Sequence, residues 1–468
     1  MDARHYPALD GLALAAAIRR GELDPHALLA AVYARCEAFD PLLKVLALRT
    51  EAIAEASLNR LDRTAPFAGV PLLMKDLGAA LAGAPSHCGS RYLERRAQPE
   101  RADADLTRRF KQAGFIIAGK SRVPEFGLNL ATERSGGPAT RNPWNLALTP
   151  GGSSGGAAAA VASGIVPIAH ATDAGGSIRV PAACCGLVGL KPGRGSVPGG
   201  PLFGNHLFGL AAEHVLTRTV RDSAAVLDCT FGHARGPYPE PTMAGAPERL
   251  NIGLILAAGA DWPVAADYRR AVERAAGVFE QAGQPVELLA GPGVEEEIVA
   301  AAEVFSVVIA ANLAHEFAGV DLEQAELEPI TRATIRKGKT LSATALIAAE
   351  RRLLQVAYRL GEWFERYDAL LLPALATPPP PIGALPMDHE DVLGHFARMT
   401  AFAPFAALFN VSGHPAISVP HGQTAGGLPL AVQIAAPFGG EARLLALAAQ
   451  LEQRAPWPLI APMVGVAP

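Results

Sequence analysis

The chain has 468 residues, half of them apolar and only 18% charged, which excludes a disordered protein and leaves ample material for a sizeable core. Lys and Arg number 41 against 45 Asp and Glu, a net charge of −4 with no block of like charges, so no nucleic-acid grip is expected. The most apolar stretch, residues 155–169, is small-sided and broken by Ser163, Gly164 and Pro167, and residues 1–20 lack a basic start and a clean apolar region. Neither a membrane span nor a signal peptide is therefore expected, and the compartment expected is the cytoplasm.

The first sixty residues read as a helical scaffold. Asp10 caps residues 12–19, and Asp24 followed by Pro25 opens a second helix with Leu28, Leu29 and Val32 on one face. Residues 70–74 form an apolar strand that stops at Lys75-Asp76; residues 103–112 form a capped helix ended by Gly114, and residues 115–118 the next strand. A glycine-rich centre follows, with an apolar strand over residues 165–171. Strands at 252–256 and 286–289 then alternate with helices at 264–282 and 294–317. A long helix over 342–367 leads into a buried strand at 369–372 and a polyproline-type connector at 378–381. Strands at 416–419 and 430–434 precede a last helix at 441–453. This alternation implies an α/β protein, and no internal repeat is evident. Five cysteines, an odd number without CxxC spacing, read as free and mostly buried thiols, and no HExxH or Cys/His cluster suggests a metal.

Two familiar patterns fail on context. Residues 114–121 fit GxxxxGK[ST], but residues 115–118 are themselves a strand, where a phosphate cradle requires a loop. Residues 151–155 fit GxSxG, yet the segment before them reads as a loop, whereas a nucleophile elbow follows an apolar strand. What remains is denser: Ser153 and Ser177 lie in two glycine-rich turns, residues 151–156 and 172–179, with one apolar strand between them. Glycines beside a serine let backbone N–H groups converge on an oxyanion. Of twelve histidines only His170 is near either turn, and it reads as core packing or a strand-end contact; a serine–histidine–acid arrangement stays open, because its partners could come from anywhere in the chain. Of seven lysines, Lys75 alone ends a wholly apolar strand, where desolvation would leave a neutral amine able to accept a proton.

Lys75 within residues 69–76, the serine turn 151–156, and residues 172–179 running on to Pro192 together resemble the amidase signature family, and the 24-residue step from Ser153 to Ser177 matches its two-serine spacing. The likeness extends through residues 142–145 to the terminal Glu441 helix, and is greatest to bacterial amidases of the 6-aminohexanoate cyclic-dimer hydrolase type. Ala174 stands where Thr or Gly is commoner in the family.

The resemblance implies a single compact α/β domain with a central mixed, twisted sheet flanked by helices. Its parts would be a helical scaffold (1–65), a catalytic core (66–230), and the remaining sheet, funnel loops and C-terminal helices (231–468). It implies Ser177 as nucleophile, Lys75 as ultimate base, and Ser153 as relay, held by a cis peptide after Gly152. The N–H groups of Ala174, Gly175, Gly176 and Ser177 would form the oxyanion hole, with Asp173, Arg179, Gly152 and Ser154 as support. Gly127, Leu128 and Asn129 would line the acyl pocket, and Cys184 and Cys185 would be packing.

The expected activity is cofactor-free hydrolysis of small amides, extending to carbamates, esters and nylon-type oligomers, by a monomer or homodimer without nucleic-acid or membrane partners. An apolar segment, residues 202–210 with Phe203 and Phe208, suits either a substrate funnel or an ordinary packed loop. The alternatives are a transamidosome-type amidotransferase component that acts on aminoacyl-tRNA, a nucleotide-binding protein using residues 114–121, and a pseudoenzyme on the same fold.

Overall fold

The computed structural model describes residues 2–201, 206–232, 242–289 and 294–463. Its frame is one sheet that collects strands from the whole length of the chain. In order of sequence these are β1 (Leu46–Arg49), β2 (Pro71–Lys75), β3 (Ile116–Ser121), β4 (Ile168–Asp173), β5 (Val188–Lys191) and β6 (Ala212–Thr217). They are followed by β7 (Ile252–Leu254), β8 (Val286–Leu288), β9 (Ala369–Pro373), β10 (Ala416–Gln423) and β11 (Pro429–Ala435). Among the described residues the eleven strands run in the order β1-β3-β2-β4-β6-β5-β10-β11-β9-β7-β8. Two parallel groups, β3-β2-β4 and β9-β7-β8, are joined by an antiparallel middle. The chain is thus a single α/β domain with a large mixed sheet flanked by helices. Every residue of β2, β4 and β9 is buried, as expected of central strands covered on both faces.

Local chemistry sets the helices much as the sequence predicts. Asp10 accepts from the Ala13 N–H ahead of the helix Gly11–Arg19, Asp24 from Ala27 ahead of Pro25–Leu43, and Ser342 from Ala345 ahead of Ala343–Arg366. Three expectations are corrected. The N-terminal segment is not wholly helical, because β1 pairs antiparallel with β3 and closes one edge of the sheet. The helix expected from residue 103 starts at Asp105 without a side-chain cap, since Asp103 instead accepts from Ala82 N–H (2.8 Å) and pairs with Lys111 (2.7 Å). Residues 165–171 yield a strand only from Ile168, but one that continues to Asp173. The pattern at residues 114–121 lies largely in β3, where the Lys120 ammonium donates to the Pro85 carbonyl (2.8 Å) and Ser86 Oγ (2.9 Å).

Among the described residues one helix, Val294–Glu316, is long and apolar enough to cross a membrane by length and composition. It packs against the helices Pro329–Lys339 and Ala343–Arg366. The stretch 155–169, the most apolar by sequence, becomes the buried helix Gly155–Ala162 and the start of β4.

That short helix lies hard against the sheet's neighbours. A Cβ at Gly156 would come within 2.6 Å of the Arg122 backbone N and O and 2.8 Å of the Val45 carbonyl, atoms that cannot swing aside. Gly277, inside the helix Ala266–Gln281, has nothing within 4 Å of such a Cβ. Urea unfolding should therefore show Gly156→Ala destabilised by about 2 kcal/mol or more, and Gly277→Ala stabilised by roughly 0.5–1 kcal/mol through helix propensity. Equal effects at the two sites would contradict this packing.

Candidate active site

Lys75 is the last residue of β2, and its side chain is wholly buried. Its Nζ lies 2.8 Å from Ser153 Oγ, 2.7 Å from Thr172 Oγ1 and 3.4 Å from the Thr172 carbonyl, and among the described residues no carboxylate is within ion-pairing distance. Burial pulls the amine down to about 7, against the opposing fields of Asp173, Glu213 and Cys88. The backbone beneath it is fixed as well. The Lys75 N–H donates to His170 Nδ1 (3.1 Å), which leaves His170 Nε2 to donate to Glu213 Oε1 (3.1 Å), an oxygen that also accepts from Ala79 N–H (2.8 Å). His170 is therefore committed to the end of β2 and to Glu213, not to either serine.

Ser153 follows a cis peptide bond at Gly152-Ser153 and immediately precedes Ser154, the N-cap of the helix Gly155–Ala162; Ser154 Oγ donates to the Thr172 carbonyl (3.3 Å). Thr132 Oγ1 ties the turn down, donating to the Gly151 carbonyl and accepting from Gly155 N–H, both at 3.0 Å. Ser177 sits at the end of the second turn, 7% exposed, and lines the same cleft as Ser153, Thr172, Ala174 and Gly175.

Asp173 and Arg179 brace that second turn. Arg179 Nε donates to Asp173 Oδ2 and Nη2 to Oδ1, both at 2.9 Å; Nη1 reaches Gln433 Oε1 (2.9 Å), and Nη2 also reaches the Ala406 carbonyl (2.7 Å) and Asn410 Oδ1 (2.6 Å). Burial alone would raise the Asp173 carboxyl, but the Arg179 guanidinium holds it well below the usual carboxylate range. Asp173 Oδ2 accepts from the N–H groups of Ile178 (3.1 Å) and Arg179 (3.3 Å), and Oδ1 accepts from Gly176 N–H (2.7 Å). Gly176, expected among the oxyanion donors, is thus directed at Asp173. The N–H groups of Ala174, Gly175 and Ser177 have no intramolecular acceptor among the described residues.

The atom-free space of the cleft, counted together with the open solvent at its mouth, is about 880 Å³. Gly127, Leu128 and Asn129 line the cleft, but the Asn129 amide is already tied, donating to the Leu385 carbonyl (2.8 Å) and accepting from Ala131 N–H (3.3 Å). His395 Nε2 donates to the Leu128 carbonyl (2.7 Å), fixing this wall to the helix Val392–Phe402. Opposite, the helix Val294–Glu316 presents Ile298, Ala302, Phe305 and Ile309 at helical spacing. Phe305 lies so close to the turn that a Cβ at Gly175 would fall 2.8 Å from its ring. Of the apolar segment 202–210, Leu207 lines the cleft, whereas Leu202 and Phe203 lie outside the described residues.

Sequence reasoning missed Thr172, Asn410, Gln433 and the 298–309 stripe. Only Thr172 lay within a motif, and the stripe has the periodicity of any core-facing helix. Cys184 and Cys185 are buried with thiols pushed up by desolvation, consistent with packing.

The Amidase family model matches residues 27–445. The 6-aminohexanoate-cyclic-dimer hydrolase of Pseudomonas sp. (strain NK87) is 34% identical, over 96% of this chain and 95% of its own. The solved structure of a 6-aminohexanoate cyclic dimer hydrolase complexed with substrate superposes with a TM-score of 0.90 at 32% identity, covering 99% of this chain and 100% of that one. A bacterial aryl acylamidase of the amidase signature family superposes with a TM-score of 0.84 at 28% identity, covering 98% and 99%. A buried lysine on a serine, a glycine-rich turn with free N–H groups, and likeness along nearly the whole chain lead to one conclusion: the chain belongs to the amidase signature family and is an amide hydrolase.

Proposed function

We propose that the protein cleaves small amides through an acyl-enzyme, with Ser177 as nucleophile, Ser153 as relay and Lys75 as base. The observation that carries this reading is the 2.8 Å contact between Lys75 Nζ and Ser153 Oγ, at the floor of the cleft that Ser177 also lines. With its two N–H bonds turned to the Thr172 oxygens, a neutral Lys75 presents its lone pair to the Ser153 hydroxyl. Ser177 Oγ bonds to the carbonyl carbon and passes its proton to Ser153 as Ser153 gives its own to Lys75. The carbonyl oxygen takes up negative charge, for which the Ala174, Gly175 and Ser177 N–H groups are available. The C–N bond then breaks as the amine recovers the proton along the same relay, and water repeats the attack to release the acid. Every step uses this chain's own groups, so no cofactor or metal is invoked.

The scope proposed is small aryl and alkyl amides, with carbamates, esters and linear or cyclic nylon-type oligomers as further substrates. The named relatives and the apolar cleft support it. A carbamate satisfies the same demands, since release of either the alcohol or the amine leaves an intermediate that water can resolve, and a carbamic acid loses carbon dioxide spontaneously. A monomer or homodimer in the cytoplasm, without nucleic-acid or membrane partners, fits this chemistry. A second reading, one component of an aminoacyl-tRNA amidotransferase, draws on likeness to a solved glutamyl-tRNA(Gln) amidotransferase polypeptide from Thermotoga maritima (26% identity, TM-score 0.77). Amide hydrolysis by the isolated chain, without ATP or a second polypeptide, would count against it.

Because the base acts while neutral, kcat/KM should rise tenfold per pH unit below about 7 and level off above it. Lys75→Ala should remove that limb and lower the rate by about 10³-fold or more. Ser177→Ala should abolish turnover, while Ser153→Ala keeps a larger remainder. Intact-mass spectrometry after a fluorophosphonate should show one adduct, on Ser177. Near-native activity of Lys75→Ala would refute the proposed base.

A matched anilide, aryl carbamate and nitrophenyl ester on one scaffold tests the scope. Hydrolysis of all three above the Ser177→Ala background is expected. Turnover of the ester alone would contradict the proposed amide chemistry.

A further inference from the structure

Among the described residues the cleft beside Ser177 combines two properties: its walls carry no charge, and the charged side chains of Arg179, Lys75 and Asp173 behind it are engaged elsewhere. Among the described residues, none that lines it has an ionisable side chain; its polar groups are Asn129, Ser153, Thr172, Ser177 and Thr400. Arg179, two residues from Ser177, is fully buried, and its guanidinium is engaged by Asp173, Gln433, Asn410 and the Ala406 carbonyl. Lys75 is covered by Ser153 and Thr172. On the acidic side, Asp173 is bound by Arg179 and three backbone N–H groups, and Glu213 Oε1 by Ala79 N–H and His170; Glu213 Oε2 has no hydrogen-bond partner among the described residues, but Glu213 does not line the cleft. A charged substrate group close to the scissile bond would lose its water and find no counter-ion, which strongly disfavours its burial.

We infer that this enzyme selects substrates that are uncharged near the scissile bond, and rejects those carrying a carboxylate or ammonium within a few atoms of it. This rests on the amidase reading above and narrows it. Capped or cyclic amides and neutral urethanes are substrates; free amino-acid and dicarboxylic half-amides of the same length are not, so of the linear nylon-type oligomers proposed above only capped ones, or bonds remote from both charged ends, remain. The small Ala302, between Ile298 and Phe305 on the cleft wall, is a position at which a cation could be supplied.

The test reads initial rates of aniline release, to which ester cleavage does not contribute, from three anilides of similar length: the hexanoyl anilide, the monoanilide of adipic acid, and the methyl ester of that monoanilide. At pH 8 the half-acid should show kcat/KM at least about 100-fold below its methyl ester, and the two neutral compounds should agree within tenfold. Ala302→Lys should narrow the gap between half-acid and methyl ester by about tenfold. Calorimetric binding to the Ser177→Ala protein reads the same ranking without chemistry. Half-acid turnover or binding within tenfold of the methyl ester overturns the inference. Absent turnover of all three with the binding ranking intact overturns the hydrolytic reading and keeps the selectivity, and binding of none overturns both.

Discussion

Everything at this site depends on keeping one amine out of water. In the proposed mechanism Lys75 would act as a base only while neutral, a form favoured by its burial at the end of β2 with hydroxyl and carbonyl oxygens as partners. Asp173 and Glu213 pull in the opposite direction, since either would favour the ammonium form. The Asp173–Arg179 pair therefore does two jobs: it shapes the turn that holds Ser177, and it balances a carboxylate that would otherwise recharge the lysine. From the other side His170 gives Glu213 one hydrogen bond, which orients that carboxylate without cancelling its charge. The brace and the basicity of Lys75 are thus one electrostatic arrangement, in which loss of Arg179 would affect both.

That arrangement explains which parts of the site could be read in the sequence. A lysine closing an apolar strand and two serines in glycine-rich turns are local signals, and the structure brings Ser153 and Ser177 to one cleft with Lys75 buried against Ser153. Asn410 and Gln433, which complete the shell of Arg179, lie more than two hundred residues away in ordinary helical and strand contexts, with nothing local to mark them. The direction of the Gly176 N–H was equally hidden, because it depends on where the Asp173 carboxylate turns. Among the strands, β2 and β9 were visible as apolar runs, whereas β6 was missed: Glu213 and His214 are both buried in it, so neither alternation nor an apolar run betrays it. β1 was missed for a different reason, a four-residue edge strand among helices.

The cleft is made by a different rule from the catalytic floor. Its floor comes from turns whose backbone must approach closely, and its walls come from helices that contribute only side-chain bulk. Phe305 illustrates the meeting of the two, since its ring occupies the space a side chain at Gly175 would take and packs edge-to-face on Phe396. A wall of this kind can change shape in evolution without touching Lys75, Ser153 or Ser177, which is why family membership says so little about the preferred acyl group.

The position of the floor follows from topology. β2, β3 and β4 run parallel, so their carboxyl ends lie together at one edge of the sheet, where the strands stop and side chains can converge. Lys75 ends β2, and Thr172 and Asp173 end its parallel neighbour β4. The helix Gly155–Ala162 precedes β4 and runs back against it, which returns its N-terminus, and with it Ser153, to the same edge. Two turns 24 residues apart can therefore meet at one lysine because a helix and a strand between them make a single out-and-back excursion. A one-residue slip of β4 against β2 would turn Thr172 away from Nζ and His170 away from the Lys75 N–H, so strand register, more than any individual contact, sets the surroundings on which the proposed base depends.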